Sequence, residues 1–172
     1  MLNLIKEDIR KFTGLKVVRF IDIIKCYVHY KGIQAVVLYR LSNWFYNKGY
    51  KIIADLIRNY NIRITGCDIG PSSIIGKGLV LPHPNGIVIG ENSIIGEDVT
   101  ILHQVTLGLK DKGVILHPKI GNNVFLGAGA KILGDIKIGN NVDIGANAVV
   151  LKDLPDNCVA VSIPAKVVKF KK

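Results

Sequence analysis

Residues 120–150 read IGNNVFLGAGAKILGDIKIGNNVDIGANAVV, and an aliphatic residue returns in this stretch at every sixth position. The members of this series, most of them followed by glycine, are Ile120, Leu126, Ile132, Ile138, Ile144 and Val150. Two earlier series with the same period run from Ile69 to Ile87 and from Ile89 to Leu107. A helix repeats about every 3.6 residues and a strand about every two, whereas short strands and turns that coil on one another repeat at longer periods. The sequence therefore predicts a mainly β fold, a parallel β-helix in which the aliphatic side chains share one core.

The sequence predicts a helical cap over residues 1–61 and the β-helix, with a short C-terminal tail, over residues 62–172. In the cap, apolar residues recur at every third or fourth position, as on the buried face of a helix. We expect two helices within residues 2–30, broken near Gly14, a third over 32–49 and a fourth over 50–60. The apolar stripe of the third helix leaves Arg40 outside it.

The composition limits the class of protein. Hydrophobic residues make up 49% of the chain, but no uncharged apolar run approaches the roughly 18 residues of a membrane-spanning helix. Charged residues interrupt the N-terminus where a signal peptide would be apolar, so a cytoplasmic location is expected. The three cysteines, Cys26, Cys67 and Cys158, are widely spaced and predict buried thiols rather than a disulfide or zinc site.

The net charge of +10 is concentrated in the cap. Residues 1–68 hold 12 Lys and Arg against 5 Asp and Glu. Such a segment favours an acidic partner, such as a membrane surface to which the protein would bind peripherally, although a solvated basic face is the alternative. No nucleic-acid-binding motif accompanies the charge, so nucleic acid is not expected as a partner.

Three histidines interrupt the β-helix at positions outside the inward period: His83, His103 and His117. A histidine can act as a general base near neutral pH when a carboxylate orients its ring. Asp68 precedes His83 by 15 residues and Glu91 follows it by eight, and coils of about 18 residues can bring such positions together. From spacing alone, a catalytic and a merely structural role for His83 stay equally open, and His103 is interpreted as a corner residue.

At this point the chain resembles a family. It is similar to the serine acetyltransferase branch of the hexapeptide-repeat, or left-handed β-helix, acyltransferases, over about residues 32–168. The matching blocks, in order, are Gly32-Ile33-Gln34-Ala35, Asp68-Ile69-Gly70-Pro71, His83, Gly86-Ile87-Val88-Ile89-Gly90-Glu91, Val105-Thr106-Leu107-Gly108, His117-Pro118-Lys119-Ile120, Gly127-Ala128-Gly129-Ala130-Lys131 and Ile163-Pro164-Ala165-Lys166. The resemblance implies acetyl-CoA as the donor and an active site between the subunits of a homotrimer.

The same resemblance assigns expected roles to four residues. His83 matches the histidine that deprotonates the acceptor hydroxyl, and Asp68 matches the carboxylate that orients it. His117 matches the second active-site histidine, and Glu91 is in a position to support it. Neither a metal ion nor an acyl-enzyme intermediate is implied.

Five further residues are expected to contact acetyl-CoA. Backbone amides near Gly108 could stabilise the thioester oxyanion. Ala128, Gly129 and Ala146 match small residues along which pantetheine lies, and Lys166 could meet the nucleotide phosphates.

Two departures from the family decide the expected acceptor. Pro82 and Leu116 stand where serine acetyltransferases have an aspartate and an arginine that bind the amino and carboxylate groups of serine. Without these partners a bound zwitterion would be left unpaired, which is costly. We therefore expect a sugar hydroxyl in a polysaccharide, capsule or glycolipid pathway. A serine O-acetyltransferase and a non-catalytic trimeric scaffold are the alternatives.

Overall fold

The structure, a computed structural model, describes residues 1–110 and 117–171. Within these ranges the chain forms four helices, namely α1 (Leu2–Thr13), α2 (Phe20–His29), α3 (Lys31–Asn47) and α4 (Lys51–Thr65). The strands that follow, most of them two residues long, are β1 (Asp68–Ile69), β2 (Ile74–Ile75), β3 (Val88–Ile89), β4 (Ile94–Ile95), β5 (Thr100–Ile101), β6 (Thr106–Gly108), β7 (Lys119–Ile120), β8 (Phe125–Leu126), β9 (Lys131–Leu133), β10 (Lys137–Ile138), β11 (Asp143–Ile144), β12 (Val149–Val150), β13 (Cys158–Val161) and β14 (Lys166–Phe170).

These strands stack into three sheets, which are the three faces of one coil. The first sheet has the order β1-β3-β6-β9-β12, the second β10-β7-β4-β2 and the third β14-β13-β11-β8-β5. The ladders are parallel, and β14 turns back antiparallel on β13 at the C-terminal end. In each full turn the chain therefore visits the three faces once and then returns one strand further along.

The aliphatic series predicted from the sequence fills the interior. Six of its members in the first and third sheets are 0% exposed, and those of the second sheet are also buried: Ile89, Ile101, Leu107, Leu126, Ile132 and Ile144 in the former, and Ile75, Ile95, Ile120 and Ile138 in the latter. Each lies next to an outward-facing residue in its short strand, because successive strand side chains point to opposite faces. The predicted parallel β-helix core is confirmed.

The corners between the second and third sheets bring backbones into close contact. A Cβ atom placed on Gly121 would lie 2.6 Å from the carbonyl oxygen of Gly139 in the next coil. Asn123 and Asn141 adopt positive φ angles of 53° and 56° at the same corner, a conformation that asparagine tolerates better than most residues. Glycine and asparagine are therefore required there by the backbone geometry.

Two other corners are used below and are named by their histidines. The His83 corner joins the third sheet to the first and contains residues 81–87, 102–105, 127–130 and 145–148. The His117 corner joins the first sheet to the second and contains residues 70–73, 90–93 and, among the described residues, 109–110 and 117–118.

Helix α3 attaches the cap to the β-helix through Arg40, which was expected to lie away from the buried stripe. That expectation is wrong, since the side chain of Arg40 is 3% exposed and that of its partner Asp8 is 1% exposed. Arg40 donates to both oxygens of Asp8, at 2.9 and 3.0 Å, and to the carbonyl oxygens of Ile75 and Gly76 at 2.5 and 2.6 Å. Burial raises the pKa of the Asp8 carboxyl, while the hydrogen bond and the charge of Arg40 oppose the shift. A sequence pattern cannot reveal this buried position, because Asp8 is 32 residues away.

Of the other expectations for the cap, one agrees with the structure and one differs. Gly14 ends α1 in a left-handed conformation, as predicted, whereas the last helix continues past residue 60 to Thr65. All three cysteines are buried and free, which confirms the interpretation as buried thiols. In residues 1–110 and 117–171 no helix has the length and hydropathy needed to cross a membrane.

Candidate active site

The His83 corner carries a column of four residues, one from each successive coil, and all but His103 are predicted site residues. His83 and His103 come from the first two coils, Ala128 from the third and Ala146 from the fourth. Adjacent coils are held by backbone hydrogen bonds, for example from Gln104 N to Asn85 O at 3.0 Å. Because neighbouring strands are about 4.8 Å apart, the column extends about 14 Å from His83 to Ala146.

His103 is the nearest ring to His83. The two ring centroids are 6.2 Å apart and the rings meet edge to face. The Nδ1 atom of His103 is buried and has no hydrogen-bond partner among the described residues. A buried N–H without an acceptor is costly, so the tautomer with its proton on Nε2 is preferred.

In the part of the column that contains Ala128 and Ala146, the backbones of neighbouring coils lie close together. A Cβ atom on Gly127 would lie 2.6 Å from the backbone nitrogen of Ala146, and Gly129 has a φ of 71°. Ala128 is half-buried and Ala146 is exposed, so the corner is a shallow, small-residue surface. The turn before Lys166 lies against the same face, since Val149 N donates to Ser162 O at 3.1 Å. Ala128, Gly129 and Ala146 therefore lie at one corner, and the turn that leads to Lys166 packs against the strand that follows this corner.

Gly108, which is also expected to contact acetyl-CoA, lies elsewhere. It is the last residue of β6 and leads into the His117 corner. The ring of His117 lies against Gly90 there, because a Cβ atom on Gly90 would overlap Cε1 and Nδ1 of His117. The Nδ1 atom of His117 is buried and, among the described residues, has no partner. Leu116, whose identity entered the acceptor prediction, lies outside the described residues.

The two predicted carboxylates are brought together by a residue that sequence reasoning missed. Arg58 of α4 donates from Nε to Asp68 Oδ1 at 2.6 Å and from Nη1 to Glu91 Oε1 at 3.0 Å. The other oxygen of Glu91 accepts hydrogen bonds from the backbone N–H and the hydroxyl of Ser72. Within the described residues, Glu91 accepts no hydrogen bond from His117, and Asp68 accepts none from His83.

Within one chain, the predicted residues thus form two groups. Asp68 lies next to the His83 corner, since its N–H donates to Ile87 O at 2.9 Å in the following coil. His117 and Glu91 lie at the His117 corner, across the first sheet from His83. Among the described residues there is no cluster of three His, Cys, Asp or Glu side chains suited to hold a metal ion.

Comparison with known proteins identifies the family of this chain. The family model described as bacterial transferase hexapeptide (six repeats) matches residues 117–152. Serine acetyltransferase of Mycobacterium tuberculosis is 42% identical over 151 residues, which are 86% of this chain and 64% of that protein. The chain therefore spans less than two thirds of the length of this curated relative.

Solved structures extend the similarity over the whole fold. Soybean serine acetyltransferase complexed with serine superposes with a TM-score of 0.87 at 37% identity, covering 96% of this chain and 68% of that one. The serine acetyltransferase of Brucella abortus in complex with coenzyme A gives 0.88 at 36% identity, covering 99% and 68%. The fold thus defines a left-handed β-helix of the hexapeptide-repeat class with an N-terminal helical cap, as predicted. Within that class the chain belongs to the serine acetyltransferase family.

The prediction of a sugar acceptor is wrong. The relatives named above, which match most of this chain, are serine acetyltransferases, and they support neither a polysaccharide pathway nor a membrane partner. The prediction gave decisive weight to Pro82 and Leu116. Two positions cannot define a pocket, because groups distant in sequence can supply the same charges once the chain folds.

Proposed function

We propose that the chain is a serine O-acetyltransferase, which transfers the acetyl group of acetyl-CoA to the hydroxyl of L-serine. The observation that carries this proposal is the likeness to the soybean enzyme solved with serine, over 96% of this chain at 37% identity. The coenzyme A complex of the Brucella abortus relative supports acetyl-CoA as the donor. The cytoplasmic location stays a prediction.

In the proposed reaction His83 removes the proton from the serine hydroxyl as its oxygen attacks the thioester carbonyl. Asp68 accepts a hydrogen bond from the ring and so fixes the tautomer with a basic nitrogen toward serine. The tetrahedral intermediate collapses with cleavage of the C–S bond, and the proton on His83 passes to the departing thiolate. A positioned base of this kind contributes about 100- to 10,000-fold to the rate.

The His83 corner suits the donor. Half-buried Ala128 and exposed Ala146, with Gly129 between them in sequence, leave a surface on which an extended pantetheine chain can lie. The exposed Lys166 is at the end of that column and can meet the phosphates of the nucleotide. The thioester would then be at the level of His103 and His83.

We infer a homotrimer whose active sites lie between subunits. His83 and His117 are at different corners of one chain, so a site that contains both requires two copies. In a cyclic trimer the His83 corner of each chain faces the His117 corner of its neighbour, and three equivalent sites result. Glu91, Gly108 and His117 would then act on the substrate held by the neighbouring chain.

The activity is tested by thioester cleavage and by detection of O-acetylserine with purified protein, acetyl-CoA and L-serine. His83→Ala should abolish turnover, and His29→Ala, at an exposed histidine of α2, should leave it unchanged. Turnover on sugars but not on serine would contradict the proposal. Coenzyme A binding without cleavage on any acceptor would favour the scaffold alternative.

The intersubunit site is tested by mixing. When His83→Ala and His117→Ala chains are coexpressed in equal amounts, every mixed trimer has one interface with both histidines intact. Random assembly therefore restores about one quarter of the wild-type sites, although each variant alone is inactive. If both histidines acted within one chain, mixing would restore nothing.

A further inference from the structure

Arg58 is the only side chain in the described part of the structure that forms ion pairs with two of the predicted catalytic residues. Its partners Asp68 and Glu91 come from successive coils, 10 and 33 residues away in sequence. The side chain of Arg58 is 27% exposed, and those of Asp68 and Glu91 are 30% and 40% exposed. Any acetyl-transfer site that includes both carboxylates therefore includes this guanidinium.

We propose that Arg58 is a positioning residue of the active site, which holds Asp68 in place for His83 and offsets part of the negative charge around it. This inference rests on the proposed function, because it takes His83 as the base and Asp68 as its partner. The cap is then a component of the catalytic apparatus and not merely a cover for the end of the β-helix.

Arg58 binds Oδ1 of Asp68 at 2.6 Å. In the proposed reaction the other oxygen, Oδ2, accepts the hydrogen bond from the ring of His83, a bond that is not formed within the described residues. The turn that carries His83 is joined to the coil of Asp68 by two backbone bonds, from Asp68 N to Ile87 O at 2.9 Å and from Gly86 N to Gly66 O at 2.8 Å. A carboxylate held at one oxygen loses the rotational freedom that would otherwise weaken its contact with the ring.

The charges at the site support the same role. Arg58 faces Asp68 and Glu91 on the β-helix and Asp55 on its own helix. Its hydrogen bond to Asp68 raises the pKa of the guanidinium further, although burial opposes the shift. Arg58 thus offsets part of the negative charge of Asp68, the carboxylate next to the His83 corner. Without Arg58, the charge of Asp68 would be uncompensated when His83 takes the serine proton.

The ion pair between Arg40 and Asp8 in the cap is structural, and its surroundings differ from those of Arg58. Arg40 and Asp8 are buried, and their remaining hydrogen bonds go to backbone atoms of the β-helix. Arg58 differs because it is partly open to solvent and because both of its partners are side chains predicted to act in catalysis. A lysine could not replace it fully, since one ammonium group lacks the planar fork that binds two carboxylates at once.

The test compares Arg58→Gln and Arg58→Lys with the wild-type enzyme in kcat and KM measured across pH. Arg58→Gln should lower kcat by about 10- to 100-fold, with little change in the KM for acetyl-CoA. It should also move the acid limb of the kcat/KM profile to higher pH, because the uncompensated carboxylates stabilise the protonated base. Arg58→Lys should lower kcat but keep the acid limb in place, because the charge is retained. His103, whose ring lies edge to face against that of His83, is unchanged in both variants.

Arg63→Gln is the matched control, since Arg63 is an exposed arginine of the same helix, and it should behave as wild type. Thermal unfolding of all variants separates a loss of positioning from a loss of fold. An Arg58→Gln enzyme with an unchanged kcat and an unmoved acid limb would overturn the inference. So would a loss of activity that only parallels a loss of folded protein in both variants.

A second readout does not depend on turnover. The chain has only four histidines, so their ring signals can be assigned by single substitutions in nuclear magnetic resonance spectra. In Arg58→Gln the His83 signal should change at a higher pH than in the wild type, whereas Arg63→Gln should not move it. If the wild type does not turn over serine but the His83 signal still shifts in Arg58→Gln, the proposed function is contradicted and the charge coupling between Arg58 and His83 is supported. Serine turnover without the change would contradict the coupling alone.

Discussion

The β-helix and the helical cap are stabilised by different kinds of contact. The β-helix has one continuous apolar core that runs through all three sheets, and every coil repeats the same backbone bonds to the next. The cap has a small apolar cluster of its own, formed by Ile5, Ile9, Val18, Ile23, Cys26 and Ile33. The cap is attached through α3, which places Ala35, Val36 and Tyr39 in the β-helix core and adds buried polar contacts of Arg40. The β-helix is thus stabilised by apolar contacts throughout, whereas the cap also relies on a few buried polar side chains.

Exposure shows the same contrast. In α2 the apolar side chains of Phe20 and Val28 are 68% and 71% exposed, and in α4 those of Ile52 and Leu56 are 79% and 63% exposed. The inward aliphatic residues of the β-helix are almost completely covered. Single polar contacts therefore matter more for the cap, and single apolar contacts matter more for the β-helix.

The largest effect is expected from Arg40→Ala, which leaves Asp8 as an unpaired buried charge. We expect a loss of about 3 to 5 kcal/mol in the free energy of unfolding, measured by chemical denaturation. Hydrogen exchange should rise first in α1 and α3, while the β-helix stays protected. Lys11→Ala is the control, because Lys11 pairs with Asp98 at the surface at 3.3 Å and should contribute below about 1 kcal/mol. A rise in hydrogen exchange that is equal over the whole chain would contradict the proposed difference between the cap and the β-helix.

Leu107→Ala removes an apolar side chain from the first sheet, where it is 0% exposed. The lost burial and the resulting cavity should lower the free energy of unfolding by about 2 to 5 kcal/mol. Exchange should rise throughout the β-helix, because the core is continuous. Leu56→Ala, at an exposed leucine, should change stability little. A loss below 1 kcal/mol at Leu107 would mean that neighbouring coils can collapse around the gap.

Gly121→Ala tests the close contact of coils at the corner between the second and third sheets. The new Cβ would lie 2.6 Å from Gly139 O, so the two coils must separate. We expect a loss of about 1 to 3 kcal/mol by chemical denaturation. Gly108→Ala is matched in chemistry, but its nearest neighbour would be a side-chain atom of Thr106 at 3.5 Å. Equal losses at the two glycines would show that backbone contact is not the cause.

The smallest effect is expected from Tyr39→Phe. The hydroxyl of Tyr39 donates to Ser73 O at 2.9 Å, and burial raises the pKa of this phenol. Ser73 O also accepts from Asn43 at 3.0 Å, so it keeps one partner when the hydroxyl is removed. We expect a loss of about 1 kcal/mol in thermal or chemical unfolding. Tyr60→Phe, at an exposed tyrosine, should be neutral, and a larger loss at Tyr60 than at Tyr39 would reverse the expected order.

Part of the candidate site was predictable because it follows the repeat. The period places His83, His103, Ala128 and Ala146 off the inward positions, and the coil length stacks them at one corner. Arg58 could not be predicted, because a helix of the cap meets the first sheet only after folding. Gly90 is one of many glycines that follow the repeat, and nothing in the sequence indicates that the ring of His117 packs against it.

The sequence by itself determined the β-helix, its core and the helical nature of the cap, because these follow from local periodicity and repeat at each coil. Only the tertiary structure decided which charges meet: Arg40 with Asp8 at the base of the cap, and Arg58 with Asp68 and Glu91 beside the predicted base. Ion pairs between residues 10 to 33 positions apart have no period. They depend on how the cap docks on the β-helix, and that is decided by packing in three dimensions.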